Sequence, residues 1–197
     1  EGRCVDMNLS NDIQSDFANY LSDEGINLSI DLTVQVLTTG FWPTYKPDDL
    51  NLPLEMMTCI ENFGAFHVKR SQHKILRWVH QLGSATVIGK FSPNGKQKEH
   101  DLIVSTLQAT VLLLFNTQET LTFDEMQKAL NVPAEELKRS VLSLCVGKYK
   151  IMTKKGEGGP KDILPADELS YNPNFTDRAR RIKVPMIAAR ITQQAKD

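Results

Sequence analysis

Cysteine is scarce in this chain. Cys4, Cys59 and Cys145 are the three among 197 residues, widely separated and without a Cys-x-x-Cys pair. An odd, sparse set fits a reducing compartment better than a disulfide framework. Long apolar runs are lacking too: Val111-Leu-Leu-Leu-Phe115 is the longest, far short of the about 20 residues that cross a bilayer. The opening Glu1-Gly-Arg-Cys-Val carries no apolar signal-peptide core. Neither sign of charge dominates, and a net charge of -1 gives no whole-chain field toward nucleic acid or an anionic membrane. Catalytic motifs are missing as well. There is no Gly-x-Ser-x-Gly elbow, no His-Glu-x-x-His and no phosphate-binding glycine loop. Gly156-Glu-Gly-Gly159 lacks the strand-to-helix setting that aims backbone N–H groups at an anion. His67, His73, His80 and His100 have no ligand spacing on a common face, which argues against a zinc site. Asp48-Asp49 and Glu135-Glu136 read as a turn and a helix N-terminus, and His80 as a structural residue.

What is present is an ordinary globular composition, 41% hydrophobic and 24% charged, long enough for one large domain or two small ones. The most informative stretch is Leu28 to Pro43. Leu28, Ile30, Leu32, Val34 and Val36 alternate with Ser29, Asp31, Thr33 and Gln35. That period of two predicts a strand with one buried face, roughly 30 Å long at about 3.3 Å per residue. Gly40 and Pro43 end it, with Phe41-Trp42 at the turn. Its backbone edge would invite a strand from another chain, although an internal strand would show the same pattern.

Ile13, Phe17 and Leu21 predict a helix over 9–21 capped by Ser10 or Asn11, broken at Gly25. A loop at 44–51 holds Pro47 and Asp48-Asp49. Pro53 opens a helix lined by Met56, Ile60 and Phe63 that reaches His67. Ile75–Leu82 and Ala85–Phe91 are expected to form a hairpin about Gly83-Ser84, followed by a turn at Ser92-Pro-Asn-Gly95 and a strand at Asp101–Val104. A helix from Ser105 or Thr106 to Asn116, apolar on nearly all sides, is expected in mid-core. Thr122-Phe-Asp-Glu125 is a capping box for a helix to Leu130, and Pro133 opens another, with Leu137, Val141 and Leu144 on one face. Strands are expected at 148–153, 169–172 and 181–184. Cys59 and Cys145 fall on apolar helix faces and are read as buried small hydrophobes.

Three helices and a hairpin after residue 105 read as a winged helix, so a boundary is set there, between a mixed α/β sheet unit and a winged-helix unit. Winged helices raise a nucleic-acid alternative. Lys138 and Arg139 on helix 133–145, with Lys148, Lys150, Lys154, Lys155 and Lys161 in the wing, form a mildly basic surface. Glu135 and Glu136 at its leading edge would repel phosphates, and no side chain on that helix suits bidentate base reading. Arg178 to Lys183 reads as a solvated strand end or an attractant for acidic partners. An α/β enzyme is disfavoured for want of a nucleophile, base and oxyanion set.

Several segments, in order, resemble the cullins: Val34-Gln-Val-Leu-Thr-Thr-Gly-Phe-Trp-Pro43; Asn51-Leu-Pro-Leu-Glu55; Lys74-Ile-Leu-Arg-Trp78; Asp101-Leu-Ile-Val-Ser105 with Gln108 and Leu112-Leu-Leu-Phe-Asn116; and Phe175-Thr-Asp-Arg-Ala-Arg-Arg-Ile-Lys-Val-Pro185. Cullins are elongated scaffolds of multisubunit ubiquitin ligases. The resemblance implies an α+β fold: residues 1–25 ending an incomplete helical bundle, 26–105 a sheet unit, 106–185 a winged helix, and 186–197 a linker or tail. It implies a non-catalytic scaffold without cofactor or metal, working in cytoplasm and nucleus. Its partner would be a RING-box protein (a zinc RING subunit), bound by strand addition, which recruits a ubiquitin-conjugating enzyme. Membrane is not implied as a partner, and nucleic acid is disfavoured. Carried over by position, the receiving residues are Ile30, Leu32, Val34, Val36, Trp42, Leu76, Trp78, Val87 and Ile88. Gln72-His73-Lys74-Ile75 stands where many cullins have a Gly-Arg-Lys-Leu turn. With no Met at Glu1, the chain is expected to be a piece of a longer one. The lysine modified by a ubiquitin-like protein is expected beyond Asp197, and no such site is assigned.

Overall fold

The computed structural model describes residues 2–46 and 49–187. Pro47, Asp48 and most of the expected tail, 188–197, lie outside it, as do the side chains of residues 2–5. By backbone contacts the chain divides into two compact units, residues 1–47 with 52–79 and residues 48–51 with 80–197. The division in sequence therefore falls at 79/80 and not at 105.

The first unit is built on two helices, α1 (Gly2–Asp23) and α2 (Leu54–Arg70). Helix α1 begins seven residues before the expected start. Ser10 does not cap it: its hydroxyl donates to the Asp6 carbonyl one turn back, at 2.7 Å. Gly25 ends the helix in the left-handed region at φ +66, while the Ile26 N–H donates back to the Leu21 carbonyl at 2.9 Å. Ile13 and Phe17 from α1 bury against Phe63 and Phe66 from α2, with Val34 in the same cluster. The rings interlock at centroid distances of 5.1 Å (Phe17–Phe63), 5.3 Å (Phe17–Phe66) and 5.6 Å (Phe63–Phe66). Burying one such side chain contributes about 1.5–3 kcal/mol.

Neither strand expected in this unit forms. Residues 31–38 run without strand pairing, and so do 74–79. A strand requires a ladder with a second strand, and none is offered among the described residues of this unit.

Among the described residues, the second unit has two three-stranded sheets and three α-helices. Strands β1 (Ser84–Phe91) and β2 (Lys98–Ser105) form an antiparallel hairpin with Gly89 opposite His100. Its turn is Ser92–Gly95, as the turn residues predicted, and Asn94 and Gly95 both take positive φ there, at 54° and 76°. The hairpin expected about Gly83-Ser84 is absent because 80–82 form a 3-10 turn instead. At its end β2 passes directly into α3 (Thr106–Leu114) through a capping box. The Ser105 hydroxyl accepts from Gln108 N–H at 3.1 Å and the Gln108 side chain accepts from Ser105 N–H at 2.8 Å. Helix α3 buries Gln108 to Val111, whereas Leu112 to Phe115 are half-buried, so its most apolar part is not mid-core.

Strand β3 (Thr120–Thr122) leads into α4 (Phe123–Leu130), which carries the expected Thr122–Glu125 box. Helix α5 (Ala134–Cys145) then buries Leu137, Val141 and Leu144. Strands β4 (Met152–Lys155) and β5 (Glu168–Tyr171) complete a β3-β5-β4 antiparallel sheet. The last strand, β6 (Arg181–Lys183), returns to pair parallel with β2. That return joins residues 80–105 to the helical part and removes any break at 105. Cys59 and Cys145 are buried and free. Burial pushes the Cys145 thiol up to about 12 and raises that of Cys59.

Candidate partner-binding surface

In the first unit, residues 28–38 form a ribbon held to α1 by side chains. The Gln14 amide donates to the Leu32 carbonyl at 2.9 Å and its carbonyl oxygen accepts from Val34 N–H at 3.0 Å. The Ser10 hydroxyl accepts from Val36 N–H at 2.9 Å. Asp6 accepts from Thr38 N–H at 3.0 Å, from the Thr38 hydroxyl at 2.6 Å and from Trp42 Nε1–H at 2.8 Å. The spacing is matched. Four helical residues rise about 6.0 Å and two extended ones about 6.6 Å, so positions 6, 10 and 14 meet residues 38, 36 and 34 in turn. These bonds hold the Asp6 carboxyl below the usual carboxylate range. The Thr38 hydroxyl contributes most, then the Thr38 N–H; burial opposes them and the Trp42 N–H assists.

Side chains alternate as the sequence predicted. Val34 is 7% exposed, Leu28, Leu32 and Val36 are half-buried, and Ser29, Asp31, Thr33 and Gln35 are exposed. Leu28, Leu32, Val34, Val36, Leu76 and Trp78 all pack on the α1–α2 aromatic cluster, with Trp78 edge-on to Phe63 at 5.6 Å. Ile30 differs: it is 39% exposed, at a bend. Seven of the nine candidate residues belong to this unit.

Val87 and Ile88 lie on β1 in the other unit. They point to opposite faces, Val87 half-buried and Ile88 59% exposed, and cannot share one face. Among the described residues, β1 is an edge strand. The Gly83 carbonyl accepts from Thr106 N–H, so odd-numbered residues of β1 bond β2. The N–H and C=O groups of Ser84, Thr86, Ile88 and Lys90 then face the edge.

Sequence reasoning missed Asp6, Ser10 and Gln14. A signal existed, three polar residues four apart on one helix. It also missed a buried pair in the second unit. Lys154 reaches Asp167 at 3.3 Å and the Gly158 and Gly159 carbonyls at 2.7 and 3.1 Å. Asp167 also accepts from the Leu164 and Gly158 N–H groups, and these bonds hold its carboxyl low, Leu164 first. A Cβ at Gly156 or Gly158 would lie 2.1 or 2.2 Å from the Asp167 carboxylate, which explains the glycines better than a phosphate loop does. Lys138 pairs with Asp162 at 3.3 Å, and Arg139 donates to the Ile187 carbonyl. Three cations of the mildly basic surface, Lys138, Arg139 and Lys154, are thereby engaged internally. Among the described residues, no cluster of three or more His, Cys, Asp or Glu is arranged to hold a metal, and no helix is long and apolar enough to cross a membrane.

Over residues 36–175 the chain matches the family described as the cullin alpha+beta domain. The chain belongs to the cullin family. It is 43% identical over 183 residues to "Putative cullin-like protein 1" of Arabidopsis thaliana, covering 92% of this chain and 24% of that protein. It is 42% identical over 187 residues to Arabidopsis "Cullin-2", covering 94% and 24%. To human "Cullin-4A" it is 34% identical over 192 residues, covering 98% and 24%. The chain thus spans about a quarter of the length of the curated relatives it matches. The mixed α+β architecture agrees with the family's description.

Proposed function

We propose that this cullin segment is part of the non-catalytic scaffold of a ubiquitin ligase. In this reading it captures a RING-box protein by strand addition, and that protein recruits a ubiquitin-conjugating enzyme. The observation that carries the reading is the ribbon at 31–38, extended and apolar on one face, with no strand partner among the described residues. A segment of this kind gains its missing ladder when a guest strand binds. The order α3, β3, α4, α5, β4, β5 is that of a winged helix, which supports reading the second unit as one. A nucleic-acid role is the weaker reading, because Lys138, Arg139 and Lys154 are engaged within the chain. The proposal includes a cytoplasmic and nuclear location, with which the free thiols of Cys59 and Cys145 accord.

Co-expression with a RING-box protein tests it. A co-purifying complex is expected, weakened by Val34→Asp and by Trp42→Ala and unchanged by Lys155→Ala on the exposed wing. A folded chain that brings down no RING-box protein would count against the scaffold role. A steep salt dependence of DNA binding would favour the alternative.

A further inference from the structure

We propose that Asp6, Ser10 and Gln14 form a positioning ladder that presets the ribbon to accept a guest strand on one edge only. This rests on the scaffold reading above and deepens it. In an extended chain the N–H and C=O of successive residues point to opposite edges. Val34, Val36 and Thr38 N–H and the Leu32 carbonyl are all bonded to α1 side chains. The backbone groups of Thr33, Gln35 and Leu37 therefore face the other way, and among the described residues none of them has a hydrogen-bond partner.

The ladder does three things at once. It holds residues 32–38 extended before any guest arrives, so that ordering cost is not charged to binding. It closes the α1 edge, because a strand entering there would have to displace three side chains. It also sets register, since a slip by one residue would offer side-chain acceptors to the wrong amides and turn Val34 outward. The guest fitted by the open edge is an extended segment with apolar side chains on alternate positions, which would continue the face made by Leu32, Val34 and Val36 over the aromatic cluster.

Residue-resolved hydrogen exchange on the full chain, alone and in complex with the RING-box protein, tests this. Alone, the amides of Val34, Val36 and Thr38 should exchange at least ten-fold more slowly than those of Thr33, Gln35 and Leu37. In the complex the odd-numbered amides should slow ten-fold or more while the even-numbered ones stay as they were. Ser10→Ala should speed exchange at Val36 and lower guest affinity about ten-fold, mostly through a slower on-rate, and Ser10→Thr should restore both. Fold integrity is checked by the fluorescence of Trp42 and Trp78. A stable complex that leaves the odd-numbered amides unprotected, or that protects the even-numbered ones instead, would overturn the ladder while sparing the scaffold reading. No complex at all would remove the scaffold reading and its guest together. Equal exchange at odd and even amides of the free chain would overturn the ladder without reference to any partner.

Discussion

The two units satisfy extended backbone in different ways. In the second unit, strands β1, β2 and β6 and strands β3, β5 and β4 exchange N–H···O=C bonds in regular ladders. In the first unit the extended ribbon has side chains of a helix in place of a neighbouring strand. A backbone ladder closes both partners at once and is indifferent to side-chain identity. A helix can serve one edge only, at every second residue, and depends on which side chains stand four apart. The first arrangement yields finished sheets. The second leaves a segment that is ordered and still half unpaired, a condition suited to an acceptor.

Experiments can strain this contrast, beginning with the largest effect. Phe63 is 1% exposed at the centre of the first unit, and Phe63→Ala should cost about 3–5 kcal/mol. Both tryptophans, Trp42 and Trp78, belong to that unit, so denaturation followed by tryptophan fluorescence should show the loss. Amide protection in β1 and β2 should persist if the units are stabilised separately, and joint collapse would merge them into one cooperative body.

In the second unit, Lys154→Ala leaves the Asp167 carboxylate buried without its cation. A destabilisation of roughly 2–3 kcal/mol is expected, the low side for a broken buried pair because two N–H groups still serve the carboxylate. Urea denaturation monitored by β5 amide exchange would measure it, and an unchanged midpoint would show the pair to be dispensable. Ser105→Ala removes one half of the α3 capping box and should cost about 1 kcal/mol, seen as a small drop in the same midpoint.

The smallest effect near neutrality is that of pH, and here the units should behave alike. Asp6 and Asp167 are both held below the ordinary carboxylate range. A depressed carboxyl stabilises the folded state fully above its unfolded value of about 4 and loses that contribution as pH falls through the lower folded value. Stability should therefore be flat with respect to these groups from pH 5 to 8 and fall only below about pH 4. Asp6→Asn should flatten the acid limb seen by tryptophan fluorescence and leave the β5 amides untouched; the reverse would reassign the groups.

Much of this was legible beforehand. Thr122 and Glu125, Gly25, the Ser92–Gly95 turn, the apolar face of α5 and the alternation from Leu28 to Val36 are local features, governed by propensity, capping and periodicity within a few residues. The ordered run of motifs carried the family. Less legible was where the candidate residues end up. Val87 and Ile88 are adjacent in sequence and so point to opposite faces, while Leu76 and Trp78 pack into the aromatic core although residues 74–79 form no strand.

The amino-acid order alone settled the capping box at Thr122, the Ser92–Gly95 turn, the alternation from Leu28 to Val36 and the family resemblance, because those depend on neighbours along the chain. Whether an extended segment becomes a strand depends on what lies beside it, and this only the tertiary structure decided. The return of β6 to β2, the Lys154–Asp167 pair and the grip of α1 on the ribbon join residues from 13 to 80 positions apart, and β1 pairs with β2 rather than with residues 75–82. Hydrogen bonds of that reach are chosen by the folded arrangement more than by neighbours along the chain.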